Sequence, residues 1–449
     1  MTAGTPFGLT AAQRSMWDAE HLQDDYSVTV AHYLDIRDTG RTFDRDLFRA
    51  GVREGSRLLE TAYSRFTVVD GEPRQDVDLG RPFDVVDVDL RHESDPVAAA
   101  HAWMAADHQG LMDVTRDPVA VSAFIRVADD RTFWYLRGHH IAFDGFAALT
   151  CLHEGVDRYN AAVRGEDYVV APRATLAEVT ADDERYQAGS RRAVDEEHWR
   201  EKVADLPAPP TLSAVEPTLR YTPDHVVCSR TMDAGLQTRL ETAAVDLGAS
   251  TAAVLAAAFV AYLATAGGRQ DIVLTLPVTG RATAKIKRAG GMVANMLPVR
   301  LDGVATHTPA SLVEAVTLEL TGCLRHQRFP FADIARLAGI DDPRVTAFGP
   351  IVNLVFFDKP LELDGADVAY QILSSGILQD LRVNLYQAGA GLPIVVDLHG
   401  NSTMYSHTEI DAHVDGILAV LAAMLDAPEK TVAEIADAVG LSAAAVSVG

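Results

Sequence analysis

Apolar positions along the chain recur at two periods, about two and about 3.6 residues, and the switches between them mark the elements. Leu9-Thr10-Ala11-Ala12-Gln13 opens a helix: Thr10 caps it, Gln13 completes a capping box, and Met16, Trp17 and Leu22 give it an apolar side. Residues 26–36, rich in β-branched and aromatic side chains, read as a strand. Residues 44–63 read as a helix, with Leu47, Phe48, Val52, Leu58 and Leu59 at helical spacing. Residues 65–69 and 75–77 form a hairpin that turns at Asp70-Gly71. A short helix is predicted over 101–109, and paired strands over 119–127 and 132–137. Further on, 228–232 and 271–276 read as strands and 236–246 as a helix.

Two stretches break this rhythm. Residues 247–268 carry no charge, long enough for a membrane span, but they are mostly alanine and lack basic flanks on one side; a buried core helix is the expectation. Residues 206–217 hold four prolines, which suits an extended connector. The chain therefore reads as α/β (α+β) in class: an N-terminal lobe over 1–206, a Pro-rich connector over 207–222 and a C-terminal lobe over 223–449. Neither lobe visibly repeats the other.

Charge narrows the range of roles. With 39 Lys+Arg against 63 Asp+Glu the formal balance is −24, which repels phosphate backbones and anionic lipid heads. No nucleic-acid or membrane partner is expected. Cys151, Cys228 and Cys323 are scattered and form no C-x-x-C pair, so neither a disulfide framework nor a zinc knuckle is offered. The first residues lack a basic and apolar leader pattern. A reduced, cytoplasmic monomer is the expectation.

The candidate chemistry lies in Gly138-His139-His140-Ile141-Ala142-Phe143-Asp144-Gly145, between the strand at 132–137 and a helix through Phe146, Leu149, Leu152, Val156 and Tyr159. Adjacent residues at a strand end point to opposite faces, so only one imidazole meets a shared cleft while the other braces the loop. Imidazole exchanges protons near neutral pH. Asp144 either caps the following helix or orients the loop through an ion pair, and Gly145 permits close backbone approach.

His139-His140-Ile141-Ala142-Phe143-Asp144-Gly145 resembles the HHxxxDG signature of condensation domains of nonribosomal peptide synthetases, within the chloramphenicol-acetyltransferase-like acyltransferase superfamily. Residues 9–17 are similar to that family's opening motif, and His198-Trp199 ahead of Leu206-Pro207 to its aromatic-Trp segment. Pro277-Val278-Thr279-Gly280-Arg281 resembles the segment whose arginine pairs with the signature aspartate. Residues 291–300 resemble the F-V-N-T-L-P-x-R motif, with Met292 and Ala294 as departures, and His326-Gln327-Arg328-Phe329-Pro330-Phe331 matches H-Q-x-x-P-F. Both histidines are present, which separates the chain from the heterocyclisation class.

The resemblance implies two acetyltransferase-like lobes in a V-shaped pseudo-dimer, with the active site in a tunnel between them, a floor loop near 281–297 and a latch near 373–385. It implies amide formation, or less readily ester formation, between an acyl or aminoacyl thioester donor and an amine acceptor. Each would ride on the phosphopantetheine arm of a peptidyl carrier protein, with an adenylation domain or synthetase modules adjoining. His140 would serve as base or as positioning group, and the backbone N–H near Gly145 would steady the oxyanion. His139, Asp144 and Arg281 would form the scaffold, the last two joining the lobes' loops across the cleft. Asn295, Ala294, Ser374 and Ser375 are candidates for the substrate channel, although Asn295 serves equally as a loop cap. The first motif begins at residue 9, which suits a chain-initiating step. A stand-alone CoA-dependent acyltransferase and a silent carrier-docking platform are the alternatives. Residues 374–376 lack the G-x-S-x-G frame and no H-E-x-x-H occurs, so neither a metal nor a bound redox cofactor is expected.

Overall fold

Helix α1 (Ala11–Glu20) starts at its predicted cap: the Gln13 N–H donates to Thr10 Oγ1 (3.2 Å) and the Thr10 N–H to Gln13 Oε1 (3.0 Å). The structure, a computed structural model, describes residues 5–20, 27–40, 43–215, 225–342, 345, 347–357, 359–376 and 378–441. Leu22 and Tyr26 lie outside them. Strand β1 (Thr29–Asp38) is followed by α2 (Arg45–Leu59), capped by the Asp44 carboxylate on the Leu47 N–H. The helix predicted to reach residue 63 stops at 59, because Glu60 adopts a left-handed φ of 62°. In the hairpin of β2 (Ser64–Val69) and β3 (Glu72–Val77), Asp70 and Gly71 both have positive φ, 53° and 81°, as a two-residue type I′ turn requires.

After β4 (Val85–Asp89), α3 (Pro96–His108) begins five residues before its predicted start. Asp95 caps it through the Ala98 N–H, and Pro96 occupies the first turn. Strands β5 (Ala120–Ala128) and β6 (Arg131–His139) lead into α4 (Gly145–Arg164) and α5 (Leu176–Gln187). Phe48 of α2 meets Trp134 of β6 edge to face at 4.6 Å, with Phe124 and Tyr159 packed around them.

The chain divides into two compact units, and neither is one continuous stretch. The first comprises Met1–Arg192, Thr279–Ala294 and Leu361–Gly376; the second comprises Ala193–Val278, Asn295–Pro360 and Ile377–Gly449. The first break thus falls after Arg192, ahead of the Pro-rich 207–222 stretch at which the sequence reading places it. The physical reason is α6 (Ser190–Val203): its Trp199 is fully buried in the second unit's core and donates its indole N–H to the His326 carbonyl (3.1 Å).

The second unit continues with β7 (His225–Thr231), α7 (Ala234–Asp246), α8 (Thr251–Ala266), β8 (Ile272–Val278), β9 (Asn295–Leu301), α9 (Pro309–Arg325), α10 (Phe331–Leu337) and β10 (Ile351–Phe356). Strand β11 (Ala366–Ser375) belongs to the first unit, after which β12 (Leu381–Gln387), β13 (Ile394–Asn401), α11 (His407–Asp426) and α12 (Val432–Ala438) complete the second. The first unit's sheet has the order β11-β1-β6-β5-β4, with β1 antiparallel to both neighbours; the second unit's has β7-β13-β12-β10-β8-β9.

The predicted latch, 373–385, is therefore two different things. Its start is the end of β11, an edge strand of the first sheet, while residues 381–385 begin β12, an interior strand whose residues are buried from Leu381 to Tyr386. The predicted floor loop, 281–297, splits likewise: 279–294 packs with the first unit and 295–297 starts β9. In α8 every residue from Ala253 to Ala264 is buried, which accounts for the uncharged stretch. No single helix among the described residues is long and apolar enough to cross a membrane.

Candidate active site

Strand β6 ends in a turn built by apolar residues that fold inward. Ile141, Ala142 and Phe143 are buried, and the Ala142 and Phe143 N–H groups donate to the His139 carbonyl (2.9 and 3.0 Å). Phe143 returns onto Gly138, where a Cβ would stand 2.4 Å from its ring, so only glycine fits. The two imidazoles part as the strand geometry requires. His139 is buried, its Nδ1 accepting the Ile141 N–H (3.2 Å) and its Nε2 facing Glu20 Oε1 (2.6 Å). His140 lies one residue beyond β6, half-buried, with its N–H donated to the Val28 carbonyl (2.8 Å). Gly376, at φ 91°, brings the chain over the His140 ring; a Cβ there would come within 2.9 Å of Cδ2 and 3.0 Å of Nε2.

Asp144 does both things that the sequence leaves open. It caps α4 through the Ala147 N–H (2.7 Å), and Arg281 meets it bidentately, Nη1 to Oδ2 at 2.7 Å and Nη2 to Oδ1 at 3.0 Å. The Val293 and Ala294 N–H groups add donors to Oδ2 (2.9 and 3.0 Å). Burial alone would push this carboxyl up, but the guanidinium and the amide donors outweigh it and hold it below the usual carboxylate range. Arg281 is itself fully buried, donates to the Thr279 and Gly291 carbonyls, and lies 4.8 Å over the Phe146 ring. The pair joins a residue of the 1–206 stretch to one of the 223–449 stretch, and both fall in the first compact unit because 279–294 packs there.

A family model described as Condensation domain matches residues 6–438. The chain belongs to this family. Condensation domains of nonribosomal peptide synthetases are amide-forming acyltransferases, and neither alternative reading is favoured. The chain is 32% identical over 436 residues to an isonitrile lipopeptide synthase of Streptomyces coeruleorubidus, covering 95% of itself and 29% of that protein. It is 27% identical over 421 residues to a dimodular nonribosomal peptide synthase of Bacillus subtilis, covering 94% of itself and 18% of that protein. It thus spans less than a third of these curated relatives. Among solved structures, the starter condensation domain of rhizomide synthetase in complex with C8-CoA superposes with a TM-score of 0.86 at 27% identity, covering 96% of this chain and 97% of that one. The first condensation domain of the CDA synthetase does so with a TM-score of 0.86 at 26% identity, covering 96% and 98%.

The remaining sequence candidates scatter within this condensation domain. Gly145 is the first residue of α4, exposed and with open space where a Cβ would stand. Ala294 contributes its N–H to Asp144. Asn295 binds the loop ahead of α10 on both sides of its amide: Nδ2 donates to the Gln327 and Phe329 carbonyls (2.9 and 2.6 Å) and Oδ1 accepts the Phe331 N–H (2.9 Å). Ser374 donates to the Thr29 carbonyl (2.8 Å), and Ser375 pairs with Val30 at the end of β11. Sequence reasoning missed Glu20 and Gly376. The only signal for Gly376 is a glycine closing a β-rich stretch, and for Glu20 its position seven residues after Gln13 on one helix face. Among the described residues no group of three or more His, Cys, Asp or Glu is arranged to hold a metal ion.

Proposed function

We propose that this condensation domain works at a chain-initiating step, joining an acyl thioester donor to an aminoacyl acceptor, each carried on the phosphopantetheine arm of a carrier protein. The acyl donor and the initiating position are supported by the likeness to a starter condensation domain described with C8-CoA and to a lipopeptide synthase. In the reaction the acceptor amine attacks the thioester carbonyl carbon. The C–N bond forms, the C–S bond breaks, the nitrogen gives up a proton and the sulfur leaves as a thiol. Aminolysis of a thioester is downhill, so positioning is the main demand, and holding two tethered reactants together supplies about 7–11 kcal/mol.

His140 is the residue that meets the amine, as hydrogen-bond partner or proton acceptor. The carrying observation is its setting: an imidazole held beside Gly376 at the end of β6, while its neighbour His139 is buried and engaged on both ring nitrogens. Gly145 offers a first-turn N–H, which has no carbonyl four residues back within the helix, at the positive end of the 20-residue α4. Such a donor aimed at the tetrahedral oxyanion contributes about 3 kcal/mol. His139, Asp144 and Arg281 serve as scaffold. Ala294, Ser374 and Ser375, half-buried in the first unit, are the substrate-channel candidates, and Asn295 serves as the cap of the loop ahead of α10.

The test is intact-mass analysis of carrier proteins offered in donor–acceptor pairs. His140→Ala should lose product while melting as the parent does; product at the parental rate removes His140 from the mechanism. Acyl-CoA replacing the acyl carrier at equal efficiency would overturn carrier dependence.

A further inference from the structure

Helix α1 presents one face to the turn that carries the two histidines. Gln13, Trp17 and Glu20 stand at i, i+4 and i+7, the spacing that aligns side chains on one side of a helix. The Gln13 amide donates to the Ile141 carbonyl (3.1 Å), and Trp17 shares an apolar cluster with Ile141, Ala142 and Phe143. Glu20 Oε1 stands 2.6 Å from His139 Nε2, with the carboxylate side chain 15% exposed and the imidazole 1%.

The His139 ring is held from both sides. Its Nδ1 accepts the Ile141 N–H, and a nitrogen that accepts carries no proton, so the ring hydrogen sits on Nε2 and points at Glu20. Moving the proton to Nδ1 would set a donor against the Ile141 N–H and leave Glu20 without one, and flipping the ring would put carbons in place of both nitrogens. The carboxylate therefore fixes both tautomer and orientation. The Ile141 N–H belongs to the peptide unit that follows the His140 Cα, and the His140 N–H, donated to the Val28 carbonyl, belongs to the unit that precedes it. With both planes fixed, the Cα–Cβ bond from which His140 projects its ring is fixed too.

We propose that Glu20 is a positioning residue for the condensation reaction: acting through the His139 ring, its carboxylate holds the peptide following His140 and so aims the His140 imidazole. This rests on His140 being the side chain that meets the substrates.

The experiment compares Glu20→Ala, Glu20→Gln and His140→Ala in the full chain, with an octanoyl-loaded carrier protein as donor and a leucyl thioester as acceptor. Glu20→Ala should lower kcat about tenfold or more with KM within about twofold, and Glu20→Gln, which keeps an oxygen acceptor, should recover most of the loss. Histidine-selective ¹⁵N spectra of the same proteins, with the His140 signals assigned from His140→Ala, should show an Nε2-protonated His139 in the parent. That pattern should be lost, and the His140 signals moved, only in Glu20→Ala. A kcat for Glu20→Ala within twofold of the parent, a loss confined to KM, or unchanged His139 and His140 ring signals overturns the proposal. Parental activity in His140→Ala instead overturns the reading of His140, while the spectra still decide whether Glu20 orders the turn.

Discussion

Two aspartates, one in each unit, show what desolvation alone does and does not decide. Asp144, in the first unit, receives a bidentate guanidinium and three backbone N–H groups, and its carboxyl lies below the usual range. Asp380, in the second, is pushed up to about 6 by burial, against the hydroxyls of Tyr405 and Thr211, and no cation pairs with it among the described residues. Asp144 is fully buried and Asp380 half-buried, and desolvation pushes both carboxyls up. What separates them is a full positive charge held in contact, which two neutral hydroxyls do not replace.

The sharpest way to break this contrast is to remove the charge. Arg281→Met should destabilise the domain by about 3–5 kcal/mol at pH 7 in urea unfolding, because it leaves a buried carboxylate uncompensated. The deficit should shrink toward pH 4, where Asp144 can then protonate. A cost below about 1 kcal/mol would mean that the amide donors suffice, and that the guanidinium is not what sets the two sites apart.

Asp380 predicts the opposite sign. Its folded-state proton affinity exceeds that of an ordinary aspartate, at 3.8, so its contribution to stability is fully present below that value and is lost as pH rises through about 6. Asp380→Asn should therefore raise stability at pH 8 by roughly 2–3 kcal/mol and flatten the slope between pH 4 and 6. Denaturant titrations at the two pH values measure this, and a destabilised Asn variant at pH 8 would reverse the assignment. The smallest effect belongs to Tyr405→Phe. Loss of one hydroxyl donor should cost about 1 kcal/mol at pH 8 and move the Asp380 transition further up, readable from the same titrations.

The site was more legible than its frame. Asp144 precedes a helical pattern, a cap position that any sequence shows, and the resemblance supplied its partnership with Arg281. The Asp70-Gly71 hairpin was equally plain, since both residues tolerate positive φ. Local signals fail where the deciding contact is distant. Glu60 ends α2 in a conformation that glutamate seldom adopts, with its carboxylate on the Leu176 N–H (2.8 Å) 116 positions away. Nothing within residues 366–375 announces pairing with β1, because a register across some 340 positions leaves no periodicity of its own. Asn295 read as binding group or loop cap for the same reason: its three partners lie more than 30 residues downstream.

The discontinuity of the two units constrains how related synthetases can be recombined. A chimaera joined near residue 193 takes Asp144 from one parent and Arg281 from the other, and it seats the second parent's β11 against the first parent's β1. Such a graft succeeds only if both donors agree at these returning segments. Exchange that carries 279–294 and 361–376 along with the first 192 residues respects the seam that the molecule itself draws.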